Sequence, residues 1–588
     1  MILAKVKLEG YRNYENATIR FDKKSLVIGP NDVGKTNLIW ALRLLLDKSL
    51  SEYDIEPLDS DFFAFRETNE FSIVLYFENV VEDCVVSRLK GKISDDNQLV
   101  LSYRAYRDKV SGAKSYKLLA GTSIDTLEEI EERFYRKVLN LKYIGSRRDF
   151  HSYIKKEKGY LLQAAKENRN DAQTKQDDNL FAEIQTDLKG VDQKIPKLNF
   201  IASATNTINL ELLKLSLHHN KQTVVFDSCI SSAENFINDV SIASKSNGQK
   251  VLIGGDGRLN QIYLALWASR NELTEESIKE VTIFCIEEPE AHLHPHQQRK
   301  LADYLNLSLA GQVILTSHSP QISSEFSPNS IIRLLNVNGS TRAASEGCSE
   351  IIDRAFLDFG YRLSIVPAEA FFSDLVFLVE GPSEKLFYKT LSKQLDIDLD
   401  RLNISILMVD GIGFSTFIKI LSSLEIDFVL RTDNDIFKIP KKEQWRFAGL
   451  ERCIGFYRNH FTSDSDTERI LLENESNIQG FSSECPEKIN IESALAISND
   501  LELFGIYLAK KDLEHDLFNS VLNDHLKKWF KNVDESDIIS TMQKRKASFM
   551  YEFLRHNKEC LIKLSDDPIA KPLHECKKRV ETIQNEAN

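Results

Sequence analysis

Gly29-Pro30-Asn31-Asp32-Val33-Gly34-Lys35-Thr36 reads G-x-x-x-x-G-K-T, the pattern of a phosphate-binding loop. In such a loop the backbone N–H groups surround phosphate oxygens, Lys35 reaches the β- and γ-phosphates, and the Thr36 hydroxyl ligates Mg²⁺. The apolar run 26–28 before it suits a buried strand, and 37–45 has the spacing of a helix, whose N-terminus favours anions. We therefore predict nucleotide binding, with contacts from Asn31, Gly34, Lys35 and Thr36.

The composition is that of a globular protein without a broad basic surface. A chain of 588 residues is too long for one core, so about two or three domains are expected. A net charge of -13 restricts any nucleic-acid binding to local patches of Lys and Arg. Eight cysteines without a C-x-x-C pair exclude common zinc-finger spacings and a disulfide framework. With no signal-peptide pattern and no apolar run of membrane length, we expect a cytoplasmic protein without membrane contact.

The chain around the loop alternates strands and helices. Before it, 2–21 reads as two strands around a turn at 10–13. After it we expect strands at 71–77, 99–103 and 141–144 and a helix at 127–139. From about 151 to 222 polar residues dominate, which predicts a helical insertion with a polar or loosely ordered piece near 168–179. The nucleotide domain is expected to resume near Thr223.

A second buried strand, 281–286, ends in Glu287 and Glu288. Carboxylates at the carboxyl end of a parallel strand lie beside the phosphate loop in an open α/β sheet, where one can hold Mg²⁺ through water and the other can position the attacking water. His318 follows the next strand, 313–316, and can hydrogen-bond a γ-phosphate. The alternatives are a surface acidic turn for the glutamates and a capping residue for His318.

These motifs together resemble the ABC-type ATPase of RecF, SMC and related DNA-repair proteins. The loop 29–36 matches Walker A, 283–288 matches Walker B, and His318 matches the switch histidine. Two departures bear on the geometry and rate of hydrolysis. Glu287 stands where aspartate is usual, and the signature motif, which contacts nucleotide across a dimer in that family, is reduced to 254–258 without its serine.

A second group of carboxylates follows the strands of a smaller α/β unit. Strand 375–379 ends in Glu380, strand 404–409 follows a helix that opens near Pro382, and strand 427–432 ends in Asp433-Asn434-Asp435. Alternating strands and helices predict a parallel sheet. Clustered carboxylates repel one another unless cations lie between them, and Mg²⁺ prefers oxygen ligands. Metal held there can activate a water against a phosphodiester.

This arrangement is similar to the TOPRIM domain of topoisomerases, primases and some nucleases. An ABC-type ATPase followed by TOPRIM resembles the OLD (overcoming lysogenization defect) nucleases, the nucleases of Gabija anti-phage systems and retron-linked effectors. The resemblance implies Mg²⁺ or Mn²⁺ and ATP as cofactors, and a further acidic ligand and a lysine near the C-terminus. The implied ligands are Glu380, Glu384, Asp433, Asp435 and Glu492, and the implied lysine is Lys546, with Lys544 as an alternative. Other interpretations are a helix N-terminal glutamate at 492 and a solvated basic turn at 544–546.

The predicted fold is an α/β chain with an ABC-type ATPase domain at 1–365, whose insertion 151–222 serves dimerisation, and a TOPRIM domain at 366–588. The resemblance implies a metal-dependent DNA endonuclease regulated by the ATPase, in anti-phage defence. Its partners would be DNA, a second copy, and a helicase or a retron reverse transcriptase with its nucleic acid. A RecF- or SMC-like clamp without cleavage is the alternative. A topoisomerase or primase is disfavoured, because no Cys-rich zinc module is present.

Overall fold

The computed structural model describes most of the chain. The described residues are 1–130, 133–146, 150–215, 244–246, 249–251, 257, 259–260, 262, 280–307, 309, 311–348, 368–409, 413–461, 464–483, 486–531 and 534–587. The return to the nucleotide domain near Thr223 and, apart from Gly257, the motif 254–258 lie outside these residues. The chain divides into two compact units, the smaller of which comprises Arg147–Ser277 and Ala291–Leu293.

The larger unit begins with an antiparallel sheet and the first part of a parallel one. Its strands are β1 (Ile2–Tyr11), β2 (Tyr14–Arg20), β3 (Lys24–Ile28), β4 (Glu70–Glu78), β5 (Leu99–Arg107), β6 (Lys114–Gly121), β7 (Glu128–Glu129) and β8 (Leu139–Ile144). Its helices are α1 (Lys35–Leu46) and α2 (Asp83–Arg88). The antiparallel sheet has the order β2-β1-β4-β5-β6-β7. The expected hairpin at 2–21 is confirmed.

The prediction of a helix at 127–139 is wrong. Glu128 and Glu129 instead pair with β6, and residues 134–137 form a 3₁₀ turn. The Tyr135 hydroxyl donates to Leu45 O at 2.7 Å, and Arg136 donates to Leu44 O and Asp47 O at 2.9 and 2.8 Å. These contacts satisfy carbonyls that the end of α1 leaves without partners, so tertiary structure overrides the helical spacing.

The smaller unit contains the expected helical insertion. Its helices are α3 (Phe150–Glu167), α4 (Asp171–Lys194) and α5 (Asn199–Leu215), and its described strands are β9 (Ser244–Ser246) and β10 (Gln249–Val251). The piece near 168–179 is polar, as one alternative had it, and largely exposed. The loosely ordered alternative is wrong, because α4 begins at Asp171. The Asn170 side chain accepts from Gln173 N at 2.9 Å and caps that helix.

The phosphate loop and the Glu287 strand belong to one sheet. The next elements are β11 (Val281–Glu287), α6 (Pro295–Leu307), β12 (Gln312–Thr316), α7 (Pro320–Ser323), β13 (Ile331–Val337) and β14 (Ser340–Ala343). The order is β14-β13-β3-β12-β11-β8, and every pair except β14-β13 is parallel. The carboxyl ends of β3, β12 and β11 therefore meet at one edge, where ligands bind in open α/β sheets.

The C-terminal part contains a second parallel sheet. Its strands are β15 (Leu375–Val379), β16 (Ile404–Met408), β17 (Asp427–Thr432), β18 (Ile436–Lys438), β19 (Trp445–Phe447) and β20 (Ile506–Leu508). Its helices are α8 (Pro382–Gln394), α9 (Phe414–Ser423), α10 (Ala448–His460), α11 (Ser465–Ile478), α12 (Lys488–Leu501), α13 (Leu513–Phe518), α14 (Asn523–Trp529), α15 (Glu535–Asn557) and α16 (Lys571–Ala587). The sheet order is β16-β15-β17-β20, all parallel, and β18 and β19 form a separate hairpin.

Two apolar cores support these sheets. One lies among β1–β6, α1 and the strands of the first parallel sheet, and the other packs β15, β17 and α8 against α13 and α15. None of the helices that the structure describes is long and apolar enough to cross a membrane. The expected α/β fold class is confirmed.

Candidate nucleotide site and candidate acidic site

The phosphate loop joins β3 to α1 as the sequence predicts. Gly34 has a φ of 106°, and a Cβ there would lie 2.3 Å from the Asn13 side chain, so only glycine fits. Lys35 is buried and donates to Gly29 O at 2.9 Å and Pro30 O at 2.6 Å. Burial lowers the pKa of Lys35 to about 8. Asn31 and Thr36 are exposed at the start of α1, where a phosphate and its cation can reach them.

Two neighbouring strands hold the loop in shape. The Asn13 side chain donates to Val33 O at 2.9 Å, and the Thr341 hydroxyl donates to the same oxygen at 2.7 Å. The Tyr14 hydroxyl donates to Gly34 O at 2.9 Å. The sequence analysis did not find Thr341, because β14 reaches the loop only in the folded sheet.

The acidic end of β11 lies beside this loop. The Tyr143 hydroxyl donates to Glu287 Oε2 at 2.6 Å, which positions the glutamate that replaces the usual aspartate. His318 Nε2 lies 3.7 Å from Glu288 Oε1, and burial lowers the pKa of His318. The negative charges of Glu288 and Glu287 raise the pKa of Lys35 and so oppose part of the lowering that burial causes. The structure thus brings these predicted residues together and adds Tyr143.

A further glutamate holds the histidine loop. Glu290 Oε1 accepts from the Ser317 hydroxyl at 2.7 Å and from His318 N at 2.8 Å. Burial raises the pKa of Glu290. Its position two residues after Glu288 was the available signal in the sequence.

The second site begins at the end of β15. Glu380 Oε1 accepts from Asp433 N at 2.9 Å and from the Thr432 hydroxyl. Glu384, one turn into α8, accepts from Glu380 N at 2.6 Å and is buried. These bonds join the ends of β15 and β17, so the predicted Glu380, Glu384 and Asp433 form one cluster.

Two arginines lie among these carboxylates. Arg431 donates to Glu384 Oε1 and Asp516 Oδ2, each at 2.7 Å, and lies 3.8 Å from Asp433 Oδ1. Arg452 lies 3.3 Å from Glu380 Oε1 and 3.2 Å from Asp435 Oδ2. The guanidinium groups offset charges that would otherwise repel one another.

Asp433 is the carboxylate of this cluster that has a raised pKa and lacks a hydrogen bond from the described residues. Its Oδ1 is buried and accepts no hydrogen bond from any residue that the structure describes. Burial, followed by repulsion from Glu384, raises the pKa of Asp433 to about 8. Such a carboxyl holds its proton at neutral pH unless a cation takes its place.

A third strand brings acidic residues that the sequence analysis missed. After β20, Asp512 caps the N-terminus of α13, and its charge contributes to the raised pKa of Asp433. Asp512 is held by His515 Nδ1 at 2.6 Å and Gln543 Nε2 at 2.7 Å. The available signal was Asp512-Leu513-Glu514-His515-Asp516 shortly after the apolar run 506–508.

The two C-terminal candidates differ in position. Glu492 is exposed on α12, with Lys488 Nζ 3.6 Å away, and no contact joins it to the cluster among the described residues. Lys546 interrupts α15 with a φ of 29° and ψ of −109°. Its charge opposes the rise that burial causes in the pKa of Glu514. Lys546 is therefore near the acidic residues, and Glu492 is not joined to them.

The residues of the acidic site fit a divalent cation. A bound cation would contact Asp433 Oδ1, which accepts no hydrogen bond from the described residues, and would lower the raised pKa of that carboxyl; oxygen ligands suit Mg²⁺. Across the described residues no three side chains already form a ligand shell. Arg431 and Arg452 instead pair with these carboxylates.

Comparisons with known proteins match the regions of the chain that contain most of these residues. The family model for the AAA ATPase domain matches residues 1–323. The family model for the overcoming lysogenization defect protein-like TOPRIM domain matches residues 371–435. The chain is 25% identical over 584 residues to endonuclease GajA of Bacillus cereus (strain VD045), covering 95% of this chain and 96% of that protein.

Two OLD nucleases are also similar. The protein of Thermus scotoductus is 20% identical over 75% of this chain and 83% of its own length, and that of Escherichia phage P2 is 25% identical over 70% and 73%. The two domain matches together imply the use of a nucleotide and a divalent metal. The chain carries a region that matches the OLD-like TOPRIM domain, is similar over most of its length to OLD-type nucleases, and belongs to the AAA ATPase domain family.

Proposed function

We propose that this chain is a metal-dependent DNA endonuclease whose cutting is regulated by its ABC-type ATPase. One observation carries the proposal. Glu380, Asp433 and Asp512 come from the ends of three adjacent parallel strands, and Asp433 there has a pKa of about 8 and an oxygen without a hydrogen-bond partner. Perturbed carboxyls at such an edge are typical of catalytic sites.

The residues of the acidic site have three proposed roles: metal binding, proton transfer and stabilisation of negative charge. Glu380, Glu384, Asp433, Asp435 and Asp512 would hold Mg²⁺ or Mn²⁺, which supplies positive charge and an activated water when bound. We prefer Asp512 to Glu492 as the additional ligand, because Glu492 pairs with Lys488 on an exposed helix. Glu380 accepts a proton during attack, and Lys546 offsets negative charge that develops on the phosphate.

The proposal is tested by plasmid cleavage with Glu380→Ala and Asp433→Ala. Both variants should remain folded by circular dichroism and lose cutting to near background, because loss of an essential catalytic group commonly lowers the rate by orders of magnitude. Folded variants that cut as the parent does would falsify the nuclease assignment. An ATP-gated clamp of RecF or SMC type would then be favoured.

The nucleotide site has the proposed regulatory role. Asn31, Gly34, Lys35 and Thr36 would bind ATP and Mg²⁺, while Glu287, Glu288 and His318 would act at the γ-phosphate. Lys35→Ala should abolish ATP binding in calorimetry while Mn²⁺ binding at the acidic site persists. Unchanged ATP affinity in Lys35→Ala would contradict the assignment.

We further propose a homo-oligomer that acts in the cytoplasm in anti-phage defence, with domains at 1–365 and 366–588. Phe181, Phe200 and Leu210 are exposed on the helical insertion at 36%, 71% and 53%, which supports pairing through that segment. A helicase or a retron reverse transcriptase with its nucleic acid is the proposed defence partner. Light scattering that reports a monomer with and without ATP would contradict the oligomer.

A further inference from the structure

The hairpin of β18 and β19 extends directly from the acidic site. Ile436 follows Asp435, and the two strands pair through Ile436–Phe447, Phe437–Arg446 and Lys438–Trp445. At the base, Ala448 N donates to Asp435 O at 2.8 Å. Both ends of this hairpin, residues 436–447, are thus fixed to the turn that carries Asp433 and Asp435.

The base of the hairpin is anchored and its tip is free. Trp445 N donates to Phe481 O at 2.5 Å, and the Phe447 and Phe481 rings lie 5.2 Å apart. Residues 440–444 are exposed. The strands therefore hold their tip at a defined position relative to Asp435.

The hairpin is basic although the chain is acidic. It has four cations, Lys438, Lys441, Lys442 and Arg446, and one carboxylate, Glu443, in a chain of net charge -13. Lys438 pairs with Glu443 at 2.8 Å, and Arg446 pairs with Glu451 at 3.3 Å. Lys441 and Lys442 have no ion pair with any residue that the structure describes, so the tip has two uncompensated charges.

We propose that this hairpin holds the DNA backbone beside the cut phosphodiester, with Lys441 and Lys442 on phosphates. The inference rests on the proposed nuclease function. The carboxylates of the acidic site repel DNA, so a backbone that approaches them needs cations nearby. The hairpin supplies these cations and, through Asp435, fixes them relative to the reacting residues.

The test measures DNA binding by fluorescence anisotropy with a short duplex in Mg²⁺, using Glu380→Gln to prevent cutting. Adding Lys441→Ala and Lys442→Ala should weaken binding and reduce the slope of log K against log salt by about 2, since each phosphate contact contributes about 0.9. Adding Lys90→Ala and Lys109→Ala instead, at two exposed lysines of the ATPase part, should leave affinity and slope unchanged.

Equal affinity and slope in the Lys441/Lys442 variant would overturn the inference while leaving the nuclease assignment intact, provided that the parent cuts DNA. A parent that neither binds nor cuts DNA would overturn both. In the nuclease itself, Lys441→Ala with Lys442→Ala should raise KM for DNA more than it lowers kcat, because the lysines bind backbone in the ground state and the transition state alike.

Discussion

Arg333 donates a hydrogen bond to the main-chain oxygen of Glu425 at 2.8 Å, which joins the ATPase sheet to the C-terminal part. Arg333 pairs in register with Ile28, the residue before the phosphate loop. The same guanidinium donates to Leu424 O at 3.2 Å and Ser373 O at 3.0 Å, just before β17 and β15. The strand beside the nucleotide loop is therefore bonded to the segments that lead into β15 and β17, which carry Glu380 and Asp433 at their ends.

Replacing Arg333 by Ala should destabilise the protein by about 2–4 kcal/mol, because it leaves buried carbonyls without donors. Denaturant unfolding measures the change. Arg342→Ala is the matched control, since Arg342 is a half-exposed arginine that also bonds Glu425, at 2.7 Å. It should lose under about 1 kcal/mol. Equal losses in the two variants would contradict a special role for Arg333.

ATP binding should weaken above pH about 8. Burial places the pKa of Lys35 at about 8, below its ordinary 10.5, so the free protein loses this charge as the pH rises through 8. Affinity for a non-hydrolysable ATP analogue should then fall up to about tenfold per pH unit, because binding must first restore the proton. Titration calorimetry from about pH 7 to about pH 9.5 measures the affinity for the analogue as a function of pH. A flat profile for the parent would contradict the expectation.

The lowered pKa of Lys35 also makes the free energy of unfolding depend on pH. The folded-state pKa of Lys35 lies below the unfolded value, so the cost of burying the charged lysine is present below pH about 8. It is relieved as the pH rises from 8 toward 10.5. Lys35→Gln removes the group and should abolish this contribution to stability.

Gly449→Ala should damage the acidic site. A Cβ at Gly449 would lie 2.2 Å from Asp433 O and 3.0 Å from Asp435 N, so the backbone between these residues must shift. Overpacking of this kind costs about 1–3 kcal/mol, and cleavage should fall sharply while ATP affinity is kept. Gly455→Ala on the same helix is the control, because a Cβ there meets nothing within 4 Å. A normal cleavage rate in Gly449→Ala would show that the turn tolerates the shift.

Lys546→Ala should reduce the cleavage rate far more than Lys544→Ala. Both lysines are exposed. Lys546 has a φ of 29° inside α15 and its charge lowers the pKa of Glu514, whereas Lys544 lies on regular helix. Backbone strain of this kind is often found at functional positions. Single-turnover cleavage with saturating DNA separates the rate from binding, and the opposite ranking would assign the role to Lys544.

Asp512→Asn should weaken Mn²⁺ binding measured by calorimetry, because it removes one negative charge beside Asp433. Glu492→Gln is the matched control and should bind Mn²⁺ as the parent does, since Glu492 is exposed beside Lys488. Weaker binding in Glu492→Gln with normal binding in Asp512→Asn would restore Glu492 as the ligand.

The sequence by itself determined the elements whose signals are local. The glycine pattern at 29–36 needs only the strand before it and the helix after it, and the apolar runs before Glu287, Glu380 and Asp433 are continuous, as buried parallel strands are. Since ligands gather at the carboxyl ends of such strands, these residues could be assigned to two sites without knowledge of distant contacts.

Only the tertiary structure decided which distant residues complete these sites. Asp512 reaches Asp433 because β20 adds to the edge of the sheet beside β17, a pairing that no local pattern encodes. The sites also include Arg431, Arg452 and Tyr143, whose carboxylate partners lie on other strands or helices or at their ends. At 127–139 a helical spacing yields to contacts of Tyr135 and Arg136 with α1, because satisfying buried carbonyls there outweighs a weak local propensity.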